Sequence, residues 1–180
     1  MIRTFERCGA AAAAALVALA TACSDATGPR SPKIEAVTVS VLEVTGTGFI
    51  QGGPGANRQT FTFDVQSTGT GISGRFTGTD EQENATLTTD PVLDPRTSFR
   101  ALRGSSSFCN TPSHGAEFDA VGHLVEPGID LYVDYTVKAC DNGTPGTGVD
   151  TWSVDLPSRG YHRAGIVTGE ITKIARQTDP

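Results

Sequence analysis

Between Leu131 and Ala139 the chain reads Leu-Tyr-Val-Asp-Tyr-Thr-Val-Lys-Ala, so that Leu131, Val133, Tyr135, Val137 and Ala139 alternate with Tyr132, Asp134, Thr136 and Lys138. A period of two puts these apolar side chains on one face of an extended strand, whereas a helix would scatter them around its axis. The pattern recurs at Val37, Val39 and Val41, at Phe61, Phe63 and Val65, and at Phe99 with Ala101. It returns at Ala116, Phe118 and Ala120, at Trp152, Val154 and Leu156, and from Ile166 to Ile174. Clusters such as "GGPG", "STGTG", "DPVLDP", "EPG" and "DNGTPGTG" separate the runs and supply the backbone conformations that turns need. Roughly eight strands in about 145 residues form one core and not two. Their connections are too short and polar to be crossover helices, so the strands are antiparallel. The fold expected for residues 34–177 is all-β, a single β-sandwich or a flattened β-barrel of roughly eight strands.

The N-terminus is of another kind. Arg3 and Arg7 precede an uncharged run of small and aliphatic residues, Gly9 to Ala22, which is shorter than the roughly 20 apolar residues a bilayer span requires. Residues 1–22 are expected to be a cleaved export signal. Ala20-Thr21-Ala22 before Cys23 resembles the lipobox of bacterial lipoproteins, in which the cysteine is acylated and becomes the new N-terminus. Ala20 stands where that motif usually has Leu, so an ordinary A-x-A cleavage and simple secretion are the alternative. Residues 23–33, with Gly28, Pro29 and Pro32 among polar neighbours, read as the lipidated N-terminus and a flexible tether. By resemblance to lipoprotein sorting, Ser24 implies an outer-membrane anchor, facing the periplasm or the cell surface.

Four cysteines are present. Cys8 leaves with the signal and acylation uses Cys23, so Cys109 and Cys140 remain as one pair, a disulfide in an oxidising compartment. Of 14 basic and 20 acidic residues, 12 and 19 remain after the signal is removed. This acidic balance, without a basic cluster, argues against nucleic acid as a partner. Membrane contact is expected through the acyl chains on Cys23.

Four segments in order, "FTFDV" (61–65), "ISGRFTGTD" (72–80), "VKACDNGTPGTGVDTWSVDL" (137–156) and "YHRAGIVTGEI" (161–171), resemble the post-COAP domain of bacterial cell-surface proteins. Trp152 stands where that pattern usually has Phe. The resemblance implies a secreted β-rich accessory module with no established catalytic role.

Catalytic and cofactor motifs are sparse. Gly69-Thr70-Gly71-Ile72-Ser73-Gly74 fits G-x-G-x-x-G, but the residues that follow continue as a strand and not as the helix a dinucleotide site needs. His114, His123 and His162 sit in no zinc motif, and no G-x-S-x-G elbow occurs. Asp130, Tyr132 and Asp134 share one strand face; two carboxylates about 7 Å apart beside a phenol could bind a sugar, or could form only a solvated sheet face. Asp141 and Asp150 flank the glycine-rich "DNGTPGTG" loop and are weak candidates for calcium; the competing reading is a structural hairpin turn whose carboxylates accept backbone N–H bonds within the loop. The function expected is a lipid-anchored, non-catalytic module, structural or ligand-binding, for an unknown protein or glycan. A dedicated carbohydrate or small-ligand binder is the alternative, and a hydrolase is the weaker one. No cofactor is expected beyond the calcium alternative. Cys23→Ala is expected to move the protein from the membrane to the soluble fraction, and wild-type protein free of labelled fatty acid would refute the anchor.

Overall fold

The computed structural model describes residues 39–51, 58–143 and 149–178. The expected signal peptide, Cys23 and the tether lie outside the described residues, as does the middle of the glycine-rich loop, 144–148. Nine strands follow one another: β1 (Val39–Gln51), β2 (Arg58–Thr68), β3 (Gly71–Asp80), β4 (Ala85–Thr89), β5 (Ser98–Arg103), β6 (Gly115–Glu126), β7 (Ile129–Cys140), β8 (Thr151–Leu156) and β9 (Tyr161–Thr178). Short 3₁₀ turns at Pro112–His114 and Pro157–Arg159 complete the elements, and no helix among the described residues is long and apolar enough to cross a membrane.

All pairings are antiparallel. The sheet runs β4-β3-β2-β1-β9-β8-β7-β6-β5, and β4 also pairs with β6, which closes it. Of the two expected forms, the chain therefore takes the barrel. β4 and β5 lie on the same edge of β6: Thr86, Leu87 and Thr88 face Val125, Leu124 and His123, and Ser98 to Arg103 face Val121 to Glu117 further along. Together they are one wall strand interrupted by residues 90–97, so the barrel has eight staves in up-and-down order. The interruption is built from side-chain turns. Asp90 Oδ1 accepts the N–H groups of Val92 and Leu93, Asp94 Oδ1 accepts that of Arg96, and Thr97 donates its hydroxyl to the Asp94 carbonyl.

Alternation fills the interior. Phe61, Phe63 and Val65 of β2, Phe76 of β3, Phe118 of β6, Tyr135 and Val137 of β7, and Trp152 and Val154 of β8 are all buried. Their rings interlock: Trp152 lies 4.6 Å from Phe61 at an interplanar angle of 11°, and Phe118 meets Tyr135 edge-on at 6.3 Å. Space for rings this large comes from glycine on the neighbouring strand. A Cβ on Gly46 would lie 2.4 Å from the Phe63 ring. The inward phase of β1 is opposite to the one read from Val39 and Val41: Val44, Gly46 and Ile50 are buried, and Val41 stands on the other face.

The two ends of the barrel differ. One end carries the end of β1, the start of β2, and the β3–β4, β6–β7 and β8–β9 turns. The other holds the β2–β3 turn, the connection from β5 to β6, the β7–β8 loop, and both Val39 and Thr178. At this second end Cys109 is joined to Cys140 (S–S 2.07 Å), fastening the β5–β6 connection to the end of β7. Gly115, opposite Cys140, makes room for the bridge, since a Cβ there would come within 2.5 Å of Cys109 Sγ. The bridge spans 31 residues, which in the chain-entropy description stabilises the fold by about 3–4 kcal/mol. Replacing both cysteines by serine is expected to lower the unfolding free energy by that amount, with the denaturation midpoint as the readout; an unchanged midpoint would remove the bridge from the stability account.

Candidate functional site: a cavity in the barrel mouth

Alternation carries inward-facing residues to the very end of each strand, and at the first end of the barrel the last inward positions of β2, β3, β6 and β9 are polar. They are Gln59 of β2, Asp80 of β3, Glu126 of β6, and Tyr161 and Arg163 of β9. The apolar lining comes from Phe76 of β3, Leu87 of β4, Leu124 of β6 and Trp152, Val154 and Leu156 of β8. Side chains do not fill this end. A cavity of about 540 Å³ remains, with an apolar floor and a polar rim, within the size range of small-molecule sites.

The rim is a connected network. Tyr161 donates its hydroxyl to Asp80 Oδ2 at 2.6 Å, and Gln59 Nε2 donates to the Tyr161 oxygen at 2.5 Å. Asp80 Oδ1 accepts the N–H groups of Gln82 at 2.8 Å and Glu83 at 3.3 Å, which shapes the β3–β4 turn. Arg163 reaches Asp80 at 3.2 Å and Glu83 at 3.4 Å while lying over the Tyr161 ring, and Arg159 pairs with Glu126. Burial pushes the Asp80 carboxyl up, but the Tyr161 hydroxyl, the two backbone amides and Arg163 together outweigh it and hold its pKa below 3.8. Burial, and then the bond to Asp80, push the Tyr161 phenol well above its ordinary value, so it keeps its proton.

Proton placement follows. Asp80 is ionised and can only accept, so the single Tyr161 proton points to it and Gln59 must turn its NH₂ toward Tyr161. This leaves Gln59 Oε1 buried without a hydrogen-bond partner in the protein. Trp152 Nε1, on a residue fully buried in the cavity floor, is likewise unpartnered. A buried polar atom left unsatisfied costs about 1–3 kcal/mol, and in folded proteins such atoms are few.

Asp130, Tyr132 and Asp134 stand together on the outer face of β7, but each is engaged by a different neighbour. Asp130 holds His123 Nε2 at 2.7 Å, and Asp134 pairs with Arg100 at 2.8 Å. Tyr132 donates to Asp94 at 2.6 Å with its ring between His123 and the Arg96 guanidinium. The Tyr132 contacts with Asp94 and Arg96 clasp the 90–97 interruption against the wall. Asp141 and Asp150 flank the β7–β8 loop, and only part of their bonding stays in it: Asp150 accepts the amide of Asn142 in the loop and that of Ile171 on β9, both at 2.9 Å, and Asp141 accepts that of Lys173 on β9 at 3.0 Å. The Gly69–Gly74 stretch forms the β2–β3 turn and the start of β3. His123 and His162 each contact an aspartate, Asp130 and Asp155, and neither is hydrogen-bonded to a serine or cysteine among the described residues. A shallower depression at the second end, beside Asp141 and Lys173, has its ammonium engaged by the carbonyls of Gly104 and Ser113.

Gln59, Asp80, Trp152, Tyr161 and Arg163 were not singled out from the sequence as site residues. The signal was present at Gln59, Asp80 and Arg163, polar residues standing in the apolar phase of their strands. No family model matches the chain, and searches of curated proteins and of solved structures find no match either.

The Asp80 network generates a pH dependence. Because its folded pKa is depressed below 3.8, its contribution is fully present above the unfolded value and is lost as pH falls through the folded one. Asp80→Asn is expected to lower stability by about 2–3 kcal/mol at pH 7. Denaturant titrations of the two proteins should show a gap that is constant above about pH 5 and narrows below about pH 4. A gap independent of pH would show that the charge of Asp80 contributes nothing.

Proposed function

We propose that this protein is a non-catalytic small-ligand-binding β-barrel module, held at the bacterial cell envelope by acylated Cys23. The observation that carries the reading is the mouth cavity of about 540 Å³, with its apolar floor of Phe76, Leu87, Leu124 and Val154 and its polar rim of Gln59, Asp80, Tyr161 and Arg163. Eight-stranded barrels have a lumen that side chains can fill or that can hold one small ligand, and here one end is filled while the other is open. Among the described residues, those lining the cavity include no serine, cysteine, histidine or lysine, and its carboxylates Asp80, Glu83 and Glu126 are each engaged by arginine. That favours binding over hydrolysis. The secreted accessory modules that the post-COAP resemblance implies fit the same reading, with the ligand-binding alternative now the better supported one.

Trp152 is the single tryptophan and lies in the cavity floor, so it serves as an internal reporter. N-phenyl-1-naphthylamine, a neutral probe that brightens in apolar surroundings, is expected to bind with energy transfer from Trp152. Ala85→Phe, which fills the cavity from β4, should weaken that binding at least about tenfold. Absence of probe binding, or binding equal in the filled variant, would refute the site.

A further inference from the structure

The charged groups of the mouth do not balance. Resting on the binding reading above, we infer that the ligand this cavity selects is an amphiphile with a cationic head, an ammonium or a guanidinium, on an apolar body. Three carboxylates line the cavity, Asp80, Glu83 and Glu126, against two guanidiniums, Arg159 and Arg163, and no lysine or histidine stands among the described lining residues. Arg159 serves Glu126, while Arg163 is shared between Asp80 at 3.2 Å and Glu83 at 3.4 Å, so one negative charge is left over. The surplus falls to Glu83: Asp80 is the nearer partner of Arg163 and its side chain is 6% exposed, whereas that of Glu83 is 47% exposed. A carboxylate head would find each guanidinium already held, and would have to displace a protein carboxylate that then stays in the same mouth. A cationic head displaces nothing, meets the surplus at Glu83 and keeps much of its own water there. A cleft with low-dielectric walls concentrates the field of its charges, and the chain as a whole, with 14 basic and 20 acidic residues, has the same sign. The floor of Phe76, Leu87, Leu124 and Val154 takes the apolar body.

A ligand series on one ring skeleton tests this: 2-naphthylmethylammonium, 2-naphthylmethanol and 2-naphthoate, each displacing N-phenyl-1-naphthylamine from the full mature protein. At about 0.01 M salt, where charges act over about 30 Å, the ammonium is expected to displace the probe at least about tenfold more tightly than the naphthoate, with the alcohol between them. At about 1 M salt, where that reach is about 3 Å, the ratio should fall to within about threefold. Glu83→Gln, which removes the surplus charge, should bring the low-salt ratio to within about threefold as well, whereas Asp64→Asn, the same change on the exposed outer face of β2, should leave it at the wild-type value. Thermal melts establish that each variant is folded; if Glu83→Gln is not, the salt dependence on the wild-type protein decides alone. Naphthoate binding as tightly as the ammonium at low salt, or a ratio that Asp64→Asn lowers as much as Glu83→Gln does, overturns the inference and leaves the binding site standing. Failure of the probe itself to bind overturns both.

Discussion

Everything in this molecule depends on the meeting of its first and last strands. Twelve residue pairs, from Val39↔Thr178 to Ile50↔Val167, join β1 to β9, and the short β4–β6 contact closes the far side. Closure removes the free edges an open sheet would expose and forces every inward side chain to share one lumen. Those side chains then cannot be chosen independently. A phenylalanine on β2 needs a glycine on β1, as Phe63 and Gly46 show.

Within that lumen the division of labour follows the lengths of the side chains. Toward the disulfide end, phenylalanines, valines and small alanines interlock. Toward the mouth, the Trp152–Phe61 pair forms a rigid platform, and the residues beyond it turn polar because they meet solvent. The Asp80 network keeps that polar ring in one arrangement. It orients Gln59 through Tyr161 and ties β2, β3 and β9 together at the place where the sheet is least supported by packing.

Period-two alternation made the strands legible wherever several large apolar residues recur, as in β2, β6, β7 and β8. β4 escaped because Ala-Thr-Leu-Thr-Thr offers only Leu87 as a large apolar residue, too little for a period. The face of β1 reads wrongly from Val39 and Val41, while in the barrel Val44, Gly46 and Ile50 of the other phase lie inside. Sandwich and barrel remained equivalent for a related reason: both demand the same alternation, and the difference lies in pairings between residues more than a hundred positions apart. The cysteine pair was legible by elimination. The mouth was not, because Gln59, Asp80 and Arg163 become a site only when three strands converge, and each alone resembles an ordinary interruption of a pattern. Asp130, Tyr132 and Asp134 were visible on one strand, yet the segments that engage them come from elsewhere in the chain.

The up-and-down path has a simple bearing on how this barrel can be attached to anything. β1 enters and β9 leaves at the end carrying the disulfide, opposite the mouth. The described part of the chain thus has its points of attachment on one pole and its opening on the other. A support joined through either end of the described barrel, whether a lipid, a fused domain or a sensor chip, grips the pole remote from the cavity mouth.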